Sequence, residues 1–151
     1  MLDGFSLNRK TLFDSIIRNP LQFSLSKETL SASVQLPALI PGVNFYVQVR
    51  QPMYKIIATL GIVPDLHYNG KKYAPVNGYA DPTPIAVAST NWNAVLNGSS
   101  AEMLDLKLTV QPPDDNFILL LSVGICFGTY ITTDRIQQAK YAGAAKILKT
   151  V

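Results

Sequence analysis

The chain has 151 residues and a mass of 16.5 kDa, the length of about one domain. Apolar residues make up 48% and charged residues only 15%, against roughly 25% charged in an average soluble domain. This excludes a disordered chain and leaves little charge to solvate a large surface, so some surface is expected to lie under a partner. A net charge of +3 is too small to point to nucleic acid, and no nucleic-acid motif is present. Area scaling gives about 7,500 Å² for the folded chain and about 24,000 Å² for the unfolded one. One core can therefore form without disulfides or metal.

Residues 1–20 carry a heavy apolar load: Leu2, Phe5, Leu7, Leu12, Phe13, Ile16 and Ile17. The last four fall on a helical stripe within 11–18, which Asn19 and Pro20 end. Two readings stand: a cap over one end of the fold, or an arm whose seven apolar residues contact a neighbouring subunit. The segment has no apolar core or small-residue cleavage site of a Sec signal. The longest apolar run, 117–121, is too short to span a membrane. No compartment follows from either observation.

Proline and glycine, 10 and 9 residues, punctuate the chain into short windows, which favours many short strands over long helices. Residues 22–36 read as a hairpin: Phe23 and Leu25 alternate with polar residues, Ser26, Lys27, Glu28 and Thr29 turn, and Leu30, Ala32, Val34 and Leu36 resume. Phe45, Val47 and Val49 suggest a further strand. Residues 54–63 are more continuously apolar and β-branched, as in a central strand covered on both faces. Asn69-Gly70 predicts a type I′ hairpin turn, and Asn77-Gly78 and Asn97-Gly98 mark further turns. Residues 102–110 alternate cleanly through Leu104, Leu106, Leu108 and Val110. In the apolar run 117–131, Gly124 and Gly128 predict a bulge or close backbone approach. Residues 135–141 read as strand or short helix, and 144–151 close the sheet.

Catalytic and metal chemistry finds little to work with. One cysteine, Cys126, and one histidine, His67, cannot make a zinc site. His67 lies beside a turn, with no nucleophile elbow to serve. Asp114 and Asp115 are neighbours in a Pro-Pro turn, which suits turn formation rather than an acid–base pair. Asn97-Gly98-Ser99 matches a glycosylation acceptor but reads as a turn. Cys126, inside an apolar run, reads as a buried thiol. No cofactor or metal is expected. Tyr73, Tyr79 and Trp92, the last flanked by amides, are candidate ligand contacts: ring faces cover the apolar faces of sugars while amides bond hydroxyls. The favoured reading of Trp92 is a packing residue that pins the sandwich end; a protein-contact anchor is a third. Arg135, Lys140, Lys146 and Lys149 follow the last acid, Asp134. They form a basic patch or a lysine-guarded strand edge.

Two stretches resemble a family of uncharacterised Bacteroidetes proteins. One is the opening 4–50, with Phe5, Asn8-Arg9, a strand hairpin and Pro41-Gly42. The other is the closing 120–151, with Gly124, Ile125, Phe127, Ala142, Gly143 and Ala144. The resemblance implies an all-β domain of bacterial or bacterium-associated origin and no catalytic residues. Relatives carry a further basic N-terminal segment, missing here, and an acid where this chain has Cys126.

The sequence as a whole predicts an all-β, Ig-like sandwich of about seven to nine strands over 21–151, with a short helical element in an arm or cap over 1–20. An open sheet with helices on one side is the second choice. The expected function is a non-enzymatic subunit of a homomeric assembly such as a filament, shell or phage-like particle. Its copies would join through the N-terminal arm and strand edges. The alternative is a surface module that binds carbohydrate or protein through Trp92 and the tyrosine loops.

Overall fold

A computed structural model describes residues 2–48, 50–76 and 78–151. The chain is all-β and sandwich-like. One short helix, α1 (Phe13–Ile16), precedes ten strands: β1 (Gln22–Ser26), β2 (Ser31–Leu36), β3 (Met53–Pro64), β4 (Leu66–Tyr68), β5 (Tyr73–Pro75), β6 (Ile85–Ser89), β7 (Asn93–Ala94), β8 (Glu102–Lys107), β9 (Phe117–Thr132) and β10 (Arg135–Thr150). Antiparallel pairing orders one sheet β1-β2-β8 and the other β10-β9-β3-β6, with β7 also on β3 and β4-β5 a separate ribbon.

The core lies between the two larger sheets. Period-two alternation sends Tyr54, Ile56, Ala58, Leu60 and Ile62 of β3 inward, opposite Phe127, Ile125, Val123, Leu121 and Leu119 of β9. Val34 of β2 and Leu104 of β8, register partners, face them from the other sheet. Among the described residues every buried side-chain nitrogen and oxygen has a hydrogen-bond partner. Tyr54 donates from Oη to Ser99 Oγ at 2.8 Å and packs on Phe45. Asn44 accepts from Ile40 N and donates to Ala38 O. Such pairing is what burial of polar atoms requires.

Several expectations need correction. The all-β sandwich expectation holds, with ten strands among the described residues against about seven to nine expected, because 66–68 and 73–75 add a small ribbon and 93–94 a short rung. Residues 135–149, the segment that made helices on one side an option, are strand throughout. Their small residues Gly143, Ala144 and Ala145 pair with β9 instead of coiling, after a bulge at 139–142. Residues 45–48 form no strand. Their backbone is taken up singly by the N-terminal segment, Tyr46 N donating to Ile16 O at 2.8 Å. Val49 and Asn77 fall outside the described residues. The β4–β5 turn is not a two-residue type I′ turn. Tyr68 pairs with Tyr73 across four residues, and Asn69 Oδ1 accepts from both Lys71 N and Lys72 N. Leu30 belongs to the turn before β2, at φ +51° and 2% exposed.

Candidate interaction surface

The seven apolar residues of the N-terminal segment divide into two groups. Phe13, Ile16 and Ile17 are buried in this chain's own core, while Leu2, Phe5, Leu7 and Leu12 are about half exposed. Residues 4–7 run along the outer edge of β10: Gly4 N and Leu7 N donate to Ile147 O and Ala145 O, and Ile147 N donates to Phe5 O. Asp3 locks the end, accepting from Thr150 N at 2.8 Å and pairing with Lys149 at 2.9 Å. The Lys149 bond, followed by the bonds from Thr150, holds the Asp3 carboxyl below its ordinary range. Lys146 pairs with Asp14. Two of the four C-terminal cations therefore hold the chain's own first residues.

The outer face of the larger sheet is apolar and nearly free of charge. Its rows run Ile85–Gly61–Leu120 and Val87–Thr59–Ser122 across β6, β3 and β9, then Ser89–Ile57–Gly124–Ala145 into β10. Ile85 and Val87 are about 60% exposed, and Val63 and Ile118 nearly half. Leu7 reaches over from the N-terminal segment to line a depression of about 310 Å³ with Ile57, Gly124 and Ala145. Cys126 lies on this face below it, buried, with burial pushing its thiol up. The sulfur lies 3.6 Å from Lys55 O, a structural placement.

Beyond Gly128, β3 no longer pairs with β9, and β9 and β10 continue as a two-stranded ribbon turned at Thr133 and Asp134. The close approach expected at Gly128 is real. A Cβ there would meet Ile136 Cγ2 at 2.7 Å, Gln137 O at 2.9 Å and Trp92 Cη2 at 2.9 Å. Trp92 thus packs on the ribbon's root, with Lys55 Nζ 4.9 Å from its ring centre. Arg135 stands on this ribbon and Lys140 in the bulge 139–142 at its root; both are exposed, with no carboxylate partner among the described residues. Tyr130 and Ile131 are half exposed, and Tyr141 is fully exposed.

The tyrosine loops sit at the opposite end. Tyr73 packs tilted against Tyr68, ring centres 5.4 Å apart and planes at 49°. Tyr79 donates to Asp114 Oδ1 at 2.5 Å, and Asn116 N donates to the same oxygen at 2.8 Å. Trp92 is beside Lys55, while Asp65 and Asn116 join just past Pro64. At roughly 3.3 Å per residue along β3, Trp92 and the tyrosines are about 30 Å apart. They do not share one surface.

The Tyr79–Asp114 bond makes a prediction about pH. Burial, then the Asp114 carboxylate, pushes the Tyr79 phenol up to about 12, and the Tyr79 bond holds Asp114 below its ordinary value. A raised folded-state pKa stabilises fully below the free phenol's value of about 10, and that contribution is lost as pH climbs to about 12. The lowered Asp114 value stabilises above about pH 4 and is lost as pH falls through it. Ultraviolet titration of the wild type minus Tyr79→Phe should isolate a phenol with a midpoint of about 12. Asp114→Asn should lower that midpoint. A midpoint at about 10 in the wild type would contradict the bond.

Among the described residues no three of His, Cys, Asp and Glu stand together to hold a metal ion, and no helix is long and apolar enough to cross a membrane. His67 lies exposed on β4. In comparisons with known proteins, no family model, no curated protein and no solved structure matches this chain. The resemblance to the Bacteroidetes family rests on the residues quoted for it.

Proposed function

We infer that this protein is a non-enzymatic structural subunit of a homomeric assembly. The observation that carries this reading is excess surface. The chain exposes 9651 Å², about 2,100 Å² more than a compact monomer of its mass, for which scaling gives about 7,500 Å². A standard protein contact covers about 800 Å² per partner, so the excess matches two or more such patches. The charge-poor outer face of the larger sheet exposes Ile85, Val87, Val63 and Ile118, and the β9–β10 ribbon exposes Tyr130 and Ile131. Large exposed apolar patches mark association surfaces, and low charge density favours association over solvation.

The outer face, the ribbon and the exposed part of the N-terminal segment are the contacts this reading assigns. Leu2, Phe5, Leu7 and Leu12 have surface to offer a neighbour; Phe13, Ile16 and Ile17 are engaged within the chain. The alternative of a carbohydrate or protein-binding module would need Trp92 to act without the tyrosines.

Light scattering on the purified chain, with negative-stain microscopy of the same sample, tests the reading. A regular particle or polymer of many times 16.5 kDa is expected. A monomer that persists on concentration would overturn it and direct attention to ligand screens with Trp92→Ala as the control.

A further inference from the structure

We propose that the cleft between the N-terminal helix region and residues 46–48 binds a small molecule with one carboxylate on a short apolar body, and that Arg18 is the partner of that carboxylate. The site lies apart from the faces assigned to assembly and does not rest on that reading.

The cleft is built on a clasp between two segments. Ile17 and Phe45 form an antiparallel bridge. On either side of it Arg18 N donates to Asn44 O at 3.0 Å and Tyr46 N donates to Ile16 O at 2.8 Å. The clasp brings Arg18 and Tyr46 together, the guanidinium carbon 3.8 Å from the ring centre. The ring is tied at its far end as well, its hydroxyl donating to Gly42 O at 2.8 Å. Arg18 is therefore positioned without being neutralised. A cation–π contact uses its charge but none of its five N–H donors. Neither ion pair among the described residues includes it, and Asp14, the nearest acid in sequence, is taken by Lys146.

The cleft beside this pair has a volume of about 250 Å³, the room of about eight waters at about 30 Å³ each. Core residues Ile16 and Phe127, with Val47, give it an apolar lining. Thr11, Ser15 and Gln48 add two hydroxyls and an amide. Ser15 Oγ already donates to Leu12 O at 2.7 Å, so Thr11 and Gln48 are the neutral donors left for a ligand. A few convergent polar groups over apolar walls are the usual make-up of a small-molecule site.

These groups select the ligand. Among the described residues Arg18 is the one charged side chain lining the cleft, so charge balance favours a monoanion. The planar guanidinium fork matches the two oxygens of a carboxylate. A phosphate monoester carries nearly two charges at neutral pH and would leave one unmatched here. The apolar lining takes an uncharged body, and the volume limits it to a single ring or a short alkyl chain.

Phenylacetate is the probe. Saturation-transfer NMR reads its binding whether the protein is a monomer or a large particle. The wild type should bind it saturably, with a Kd of about 1 mM or tighter. Arg18→Gln should weaken binding at least about tenfold, the scale of one hydrogen bond to a charged group. On the wild type, phenylacetamide, which keeps the shape and loses the charge, should weaken to the same degree. Inorganic phosphate should fail to compete. Circular dichroism checks that Arg18→Gln folds; should it unfold, the phenylacetamide comparison and Thr11→Val, with an expected several-fold loss, carry the test. No saturable binding, equal binding of phenylacetate and phenylacetamide, or equal binding by wild type and a folded Arg18→Gln overturns the proposal. Competition by phosphate at the same concentration also overturns it, since Arg18 would then be a contact for any anion.

Discussion

Phe13→Ala is expected to lower stability by about 3–5 kcal/mol, the range for removing a buried phenylalanine side chain. Phe13 is 1% exposed and belongs to the continuous core with Ile16 and Ile17. The helix that presents it is a single turn, Phe13–Ile16, with no side-chain cap. A turn that short does not hold itself in water, so packing must hold it. Tertiary ties are present: Tyr46 N donates to Ile16 O, Arg18 N to Asn44 O, and Lys146 spans Asp14 with its ammonium 5.5 Å from the Phe13 ring centre. The loss would be a large share of a typical total of about 5–15 kcal/mol. Deleting residues 1–20 should then unfold the chain outright, since it empties part of the core and strips the outer edge of β10. Urea denaturation followed by tryptophan fluorescence measures both. A Phe13→Ala cost below about 1 kcal/mol, the range of a surface substitution, would mean that the segment packs elsewhere.

Gly98→Ala is expected to be destabilising by at least about 2 kcal/mol for two additive reasons. Gly98 has φ +65°, a conformation that L side chains resist. A Cβ there would also fall on the Leu39 carbonyl oxygen and within 3.0 Å of Pro41 Cδ. Backbone cannot give way as a side-chain tip can. This carbonyl is itself committed, accepting from Ser99 N at 3.1 Å while Leu39 N donates to Ser99 O at 2.8 Å. Displacing it would also pull Ser99 from the buried Tyr54 hydroxyl. Gly42→Ala is the control. Its φ is +78°, but its Cβ would meet open space, so only the conformational cost of roughly 1 kcal/mol applies. Thermal unfolding of both variants should separate them clearly; equal losses would show that the Leu39 contact has no weight.

The strands that face the core could be read from residues because period two and burial agree there. Leu104, Leu106 and Leu108 alternate in sequence and are all buried; Val110, next in that series, is exposed because β8 ends at Lys107. The glycines of β9 also spoke plainly, since a missing side chain in an apolar run has few causes. Phe45 and Val47 misled because alternation records which side chains point inward, not whether a neighbouring backbone runs alongside. Asn69-Gly70 misled by one register: the Asn69 side chain caps two amides, which lengthens the turn. Leu12, Phe13, Ile16 and Ile17 form a stripe that sequence assigns to burial without saying on whose core; the fold buries Phe13, Ile16 and Ile17 within the chain and leaves Leu12 half exposed. The ribbon was hidden for a related reason. Residues 129–138 have ordinary β composition, and only the point at which β3 stops pairing, Gly128, makes them project.

Hydrogen exchange at two protein concentrations tests most directly whether this surface is built to be covered by further copies. In dilute solution the ribbon amides of 129–132 and 135–138 should exchange quickly, as an uncovered two-stranded ribbon must. At assembling concentration they should slow at least tenfold, while the core of β3 stays unchanged. Equal, concentration-independent exchange across the ribbon would contradict the account.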